Sequence, residues 1–200
     1  MLVTDRALVG GGDRLVEAVA AAVEGGVNAV QLREKDLAPA DLARLAGQLR
    51  EAIRRRALLI VNGNADVACE VAADGLHLPA GAPFARPDDV ALVGRSVHSV
   101  EAAVRAEREG ADYLIAGPIY ETPSHRGVAP AGVRLISAVV AVVSVPVVAI
   151  GGITTARVQD VLSAGAGGVA VISAILDAEP PGAAASALHE ALEAVPAVER

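Results

Sequence analysis

Aromatic and sulfur-bearing side chains are nearly missing from this 200-residue chain: it has no tryptophan, one methionine, one cysteine, and only Phe84, Tyr113 and Tyr120 as aromatic residues. A base-stacking pocket is therefore hard to build, so a heteroaromatic ligand would rest mainly on aliphatic side chains, with Tyr120 the best-placed aromatic. The lone Cys69 excludes an internal disulfide and a multi-cysteine metal site, which fits a reducing compartment, and reads as a small apolar filler. Charges and glycines interrupt every apolar run before the ~18 to 20 residues that a membrane helix needs. The first residues carry Asp5 and Arg6 and lack the pattern of a signal peptide. Positive charge is in deficit, with 17 Lys+Arg against 24 Asp+Glu and a net charge of -7. That balance argues against a nucleic-acid partner and leaves any anionic ligand to be held by a few local groups. The expectation is a cytoplasmic protein that engages neither membrane nor nucleic acid. No Gly-x-Gly-x-x-Gly opens the first helix, which removes support for a dinucleotide-binding sheet.

What the chain has is apolar residues, 53% of the total, arranged as alternating strands and helices. Strands are expected over 1–4, 29–33, 57–61, 75–78, 91–97, 112–116, 145–153 and 168–175. Helices are expected over 13–23, 39–56, 65–73, 100–109, 155–163 and 180–194. Leu15, Val16, Val19 and Ala22 give the first helix one apolar face. Pro39 suits the first turn of the second, and Arg54-Arg55-Arg56 suit a solvated helix end. Two stretches, 79–87 and 117–132, are rich in Pro and Gly and read as irregular loops, the longer able to close over a site. Eight βα periods in so short a chain imply one α/β domain spanning residues 1–200, a (β/α)₈ TIM barrel. Barrels of this size often associate, so a homo-oligomer is open, although no stripe marks an interface.

In a barrel the chemistry sits where strands end at their carboxyl side. The runs 145–153 and 168–175 read as strands buried on both faces, and Gly151-Gly152 and Ser173 let a backbone approach an anion there. Gly152, the N–H groups near Ile172 and Ser173, and the Ser173 hydroxyl are the candidate phosphate donors.

Five motifs stand in register: Gln31-Leu32-Arg33-Glu34-Lys35, Ala73-Asp74-Gly75-Leu76-His77-Leu78, Gly117-Pro118-Ile119-Tyr120 with Thr122, the run 146–153 and the run 168–175. Together they resemble the thiamin phosphate synthase/TenI superfamily over most of the chain. The resemblance implies a small-molecule partner, a thiazole phosphate or thiamine phosphate. It assigns Gln31, Arg33 and Lys35 to the strand-two signature and Asn62 to the asparagine after strand three. Synthases of the superfamily join a pyrimidine pyrophosphate to a thiazole phosphate, with Mg²⁺ on carboxylates. Here Gly63 stands where they carry the first aspartate, Ala82 where they carry the second, and His125 where they carry a pyrophosphate-contacting lysine.

The phosphate half thus looks retained and the metal half lost, so the sequence points to the TenI branch, a thiazole tautomerase that shifts a proton without metal. Gly94-Arg95-Ser96-Val97-His98-Ser99 and Glu121-Thr122 also look closer to that branch. TenI proteins place a histidine where this chain has Pro118, so the base must come from elsewhere. His125 and His98 are the candidates, with Lys35 as a further catalytic cation. Gln31, Arg33, Asn62, Ser96, Thr122, Gly152, Ile172 and Ser173 are the substrate-binding candidates; His77 reads as a barrel-interior group and His189 as surface. No metal ligand and no cofactor are expected, Mg²⁺ entering only under the synthase alternative, with Asp5, Glu34 or Asp36 as stand-in ligands. A non-catalytic binder of thiamine or its phosphates is the remaining alternative.

Overall fold

Eight parallel strands in sequential order form the sheet: β1 (Leu2–Val3), β2 (Ala29–Leu32), β3 (Leu58–Asn62), β4 (Gly75–Leu78), β5 (Leu92–Val97), β6 (Tyr113–Ala116), β7 (Val147–Ile150) and β8 (Gly168–Ala170). The sheet closes through a parallel bridge between Leu2 and Val171 and a hydrogen bond from the Val3 N–H to the Val171 carbonyl at 2.9 Å. The coordinates are a computed structural model and describe residues 1–123, 127 and 129–195. The expected barrel is present. Around it run α1 (Arg6–Val9), α2 (Gly12–Glu24), α3 (Pro39–Ile53), α4 (Ala65–Glu70), α5 (Val100–Glu109), α6 (Val133–Val140), α7 (Thr155–Ser163), α8 (Ser173–Leu176) and α9 (Pro181–Glu193). Among the described residues no helix is long and apolar enough to cross a membrane.

The alternation of each strand divides its side chains between two layers. Leu32, Leu59, Val61, Leu76, Leu78, Val93, Leu114, Val147 and Val169 are buried in the main core with the helix residues Leu15, Val19, Leu49, Ile53, Ile136 and Val158. A smaller cluster of Ala29, Ile60, Tyr113 and Ile115, flanked by Met1, Val148 and Ile150, fills the barrel itself. Tyr113 occupies space that Gly94 leaves free, since a Cβ on residue 94 would overlap the tyrosine ring. Cys69 is half-buried against the main core.

Several expected boundaries move. The helix expected to run through Arg56 stops at Ile53, because Arg54 and Arg55 adopt left-handed backbone at φ 48° and 59°. The strand expected over 168–175 ends at Ala170; Ser173 to Leu176 form a helical turn instead. The short α1 and the eight-residue α6 were not expected. The sequence of α6 runs through Val139 and Val140 into a second β-branched stretch ahead of β7, so its helical face is masked by the strand signal that follows.

Candidate functional site

At the carboxyl end of the barrel two adjoining lobes share Ile150 and Ile172. The larger, about 250 Å³, is lined by Gln31, Arg33, Lys35, Asn62, Ser96 and His98 over a floor of Val3, His77, Ile115 and Ile150. The smaller is lined by Pro118, Thr122, Gly151, Gly152, Ile172, Ser173 and Ala174. The strand ends therefore bring together all the described site candidates. His125 lies outside the described residues.

The smaller lobe is built from backbone. The segment 117–121 lies against the end of β7, with the Ile119 N–H donating to the Ile150 carbonyl at 2.9 Å and the Tyr120 N–H to the Gly151 carbonyl at 3.0 Å. This contact, together with positive φ of 103° and 63°, demands glycine at 151 and 152: a Cβ on Gly151 would lie 2.7 Å from the Pro118 Cα, and one on Gly152 would overlap the Glu121 carbonyl. Among the described residues, the N–H groups of Gly151, Gly152, Ile172 and Ser173 find no acceptor. A ring of free backbone donors with no carboxylate among the lining residues suits an anion. Arg157 of α7, which sequence reasoning passed over, fixes this rim. Its Nη1 donates to the Gly152 carbonyl at 2.5 Å, and its guanidinium stacks 4.4 Å above the Tyr120 ring. Tyr120, expected to be the best-placed aromatic, is thereby occupied and is not among the described lining residues of either lobe; the aliphatic Val3, Ile115, Ile150 and Ile172 supply the apolar surface.

The larger lobe is cationic. Arg33 and Lys35 form no ion pair among the described residues, and Arg33, with some help from burial, lowers the Lys35 pKa from its ordinary value. Their acidic neighbours, which line a second cavity together with them, are held by a different cation. Glu34 and Asp36 both bind Arg6, whose Nη1 donates to Glu34 Oε2 at 3.1 Å and to Asp36 Oδ1 at 2.6 Å, while its Nη2 donates to Asp36 Oδ2 at 2.7 Å. The backbone N–H of Arg6 also donates to Glu34 Oε1 at 3.1 Å. Hydrogen bonding to Asp36 and then Glu34 raises the Arg6 pKa, and the same bond holds the Asp36 carboxyl below its ordinary range. Gln31 is buried, its amide directed at the Met1 sulfur at 3.9 Å, and the Arg33 N–H donates to the hydroxyl of the fully buried Thr4 at 2.9 Å.

Two histidines differ sharply. His77, expected inside the barrel, lies at the cavity floor with Nε2 2.8 Å from Ser96 Oγ and Nδ1 3.3 Å from the Tyr113 hydroxyl. Burial, then the Arg95 and Arg33 charges, push its pKa down to about 3, so it stays neutral near pH 7. Burial likewise raises the Tyr113 phenol. His98 is exposed, and its Nδ1 lies 2.5 Å from the Gly117 carbonyl. A carbonyl can only accept, so Nδ1 carries the proton, and in the neutral ring Nε2 is left as an acceptor at the cavity edge.

The Mg²⁺ that synthases of the resembled family use does not fit these residues. Gly63 and Ala82 offer no side-chain oxygen, and the Ala82 carbonyl accepts from Arg95 Nη2 at 2.5 Å. The stand-ins are committed elsewhere: Asp5 Oδ1 caps α1 by accepting from the Ala7 N–H at 3.2 Å, and Glu34 and Asp36 hold Arg6. Among the described residues no group of three metal-capable side chains exists.

These features define a class, the parallel (β/α)₈ barrel with an anion-receptive carboxyl face. Within it, the family model described as thiamine monophosphate synthase matches residues 1–175. The thiamine-phosphate synthase of Methanoculleus marisnigri is 42% identical over 203 residues, covering 98% of this chain and 96% of that protein. The enzyme of the same name from Pyrococcus abyssi is 38% identical over 185 residues, covering 90% and 89%. The solved thiamine phosphate pyrophosphorylase from Pyrococcus furiosus superposes with a TM-score of 0.84 at 36% identity, covering 96% of this chain and 94% of that one. The chain belongs to the thiamine monophosphate synthase/TenI superfamily, a family of thiamine biosynthesis. The names of these relatives favour the synthase alternative and lend no support to the tautomerase that the sequence suggested.

Proposed function

We propose that this chain is a thiamine-phosphate synthase-type transferase that joins a thiazole phosphate to a pyrimidine pyrophosphate. The observation that carries the reading is the polarity of the cavity: unpaired backbone donors at one end, the cation pair Arg33 and Lys35 at the other, and an apolar floor between. One anionic group on each side brings two reactants to a common centre over Ile115, Ile150 and Ile172. The thiazole phosphate group lies on Gly152 and Ser173, with the Thr122 hydroxyl at its edge, and this directs the ring nitrogen inward. Arg33 and Lys35 face the pyrophosphate. As the bond from the pyrimidine methylene carbon to the pyrophosphate oxygen breaks, the pair of electrons leaves with pyrophosphate, and charge develops beside two fixed cations. The ring nitrogen forms the new bond to that carbon, and no proton need move in this step. Gln31, Asn62 and Ser96 are the polar groups left to orient the pyrimidine.

His98 favours a second reading. Its Nε2, free to accept a proton at the cavity edge, is the base that a proton-shifting isomerase of the TenI type would need. Purified protein given both substrates decides between them when thiamine phosphate and released pyrophosphate are measured together. Equal amounts of the two are expected. Tautomer conversion of a thiazole carboxylate phosphate without any coupling would instead establish the isomerase. His98→Ala should slow coupling less than about tenfold, whereas loss of a general base costs roughly 10²- to 10⁴-fold.

A further inference from the structure

The two places where the resembled synthases need carboxylate are neutral, and the acids that could stand in are held elsewhere, Asp5 by capping α1 and Glu34 and Asp36 by Arg6. At the end of β3, Asn62 is followed by Gly63, which adopts φ 73° and gives its N–H to the His77 carbonyl at 2.8 Å. In the segment after β4, the Ala82 carbonyl is held by Arg95. Arg95 is 8% exposed, and among the described residues it has no acidic partner and its Nη1 has no hydrogen-bond acceptor. After β2, the two carboxylates present are both drawn onto Arg6. A divalent cation entering this cavity would meet Arg33 and Lys35, and no carboxylate is among its described lining residues to offset their repulsion.

We infer that this site takes its second anionic group, a pyrophosphate in the reading above on which this inference rests, on protein cations alone and without a divalent metal. Arg33 and Lys35 are the binding pair. Arg6 is a positioning residue: by holding Glu34 and Asp36 it stops the alternating acids of the same loop from neutralising the pair. Released from Arg6, those carboxylates become the nearest competitors for Arg33 and Lys35, and an anionic ligand would then have to displace them.

Calorimetric titration of inorganic pyrophosphate into the intact protein, once with EDTA and once with excess Mg²⁺, tests this. Affinities within about threefold of each other are expected, with Lys35→Met weakening both by about tenfold. Arg6→Gln should weaken binding under both conditions and Arg6→Lys should restore part of it, with circular dichroism reporting whether each variant is folded. A merely structural Arg6 would give no such graded rescue in a folded protein. In the converse experiment, Gly63→Asp with Ala82→Asp should create a Mg²⁺ dependence absent from the parent; aspartate tolerates the left-handed backbone, and a Cβ at residue 63 makes only ordinary contact with Pro79 at 3.7 Å. Pyrophosphate that binds only with Mg²⁺, or fails to bind at all, overturns the inference. A parallel titration with thiazole phosphate separates the two claims. If thiazole phosphate binds while pyrophosphate requires Mg²⁺, only metal independence falls; if thiazole phosphate itself does not bind, the transferase reading falls.

Discussion

Gly152 carries more of the site than any side chain does. Its left-handed backbone and its contact with the Glu121 carbonyl leave no room for a Cβ, so Gly152→Val should push 117–121 off the end of β7 and scatter the free donors. Affinity for thiazole phosphate, read by calorimetry, is expected to fall at least about tenfold, and unchanged affinity would contradict the placement. His77 gives a second residue-level outcome, in pH. Its pKa in the folded state, about 3, lies below the ordinary 6.5, so the folded ring refuses a proton that the unfolded chain accepts. Its contribution to stability is complete above pH 6.5 and is lost as pH falls from there toward 3. The slope is at most about 1.4 kcal/mol per pH unit. Urea midpoints at a series of pH values should fall less steeply in His77→Gln than in the parent, and parallel slopes would refute this. The candidate residues were legible because strand ends concentrate polar side chains between apolar runs, as with Gln31, Arg33, Ser96 and His98. What those side chains would touch was not legible. Nothing local to Arg6 indicates that it will collect Glu34 and Asp36 from a loop 28 and 30 residues away.

At the scale of elements, the strands are fixed at their amino ends by two aspartates with matching roles. Asp74 Oδ2 accepts from the Leu59 N–H at 2.7 Å and pairs with Arg50; Asp112 Oδ2 accepts from the Val93 N–H at 2.7 Å and pairs with Arg86. Each carboxylate satisfies the N–H of a residue at the start of the neighbouring strand and brings a helix or loop arginine with it. Asp74→Ala strands the Leu59 N–H and should cost about 1 to 3 kcal/mol, measurable as a lower urea midpoint at unchanged slope. Helices with a clear apolar stripe and caps, such as α5 between Ser99 and Gly110, appear with the bounds expected of them. Elements that departed from expectation lacked one of those signals. α6 has no side-chain cap and merges into β-branched sequence, while residues 173–176 look like a strand until closure onto Leu2 and Val3 uses up the register at Val171. Tertiary closure, not local preference, ends β8.

Across the whole molecule, a barrel with so few aromatics relies on Tyr113 to fill the middle of its interior. Gly94 on the adjacent strand makes room for the ring, and its hydroxyl reaches His77. Tyr113→Ala should cost about 3 to 5 kcal/mol by leaving a cavity that close-packed strands cannot collapse, whereas Tyr113→Phe, which removes only the hydrogen bond, should cost about 1 kcal/mol. Near-equal shifts in thermal midpoint for the two variants would argue against the filling role. The same closure sets all eight strand ends and their loops around one mouth, so that a backbone cradle and a cation pair from opposite ends of the chain face each other. The central claim is this polarity, phosphate on one side and the second anion on the other. A crystal structure of the protein with thiazole phosphate tests it most directly. The phosphate should lie within hydrogen-bond distance of the Gly152 and Ser173 N–H groups, with the ring directed toward Ile115. A phosphate seated on Arg33 and Lys35 instead would contradict the account.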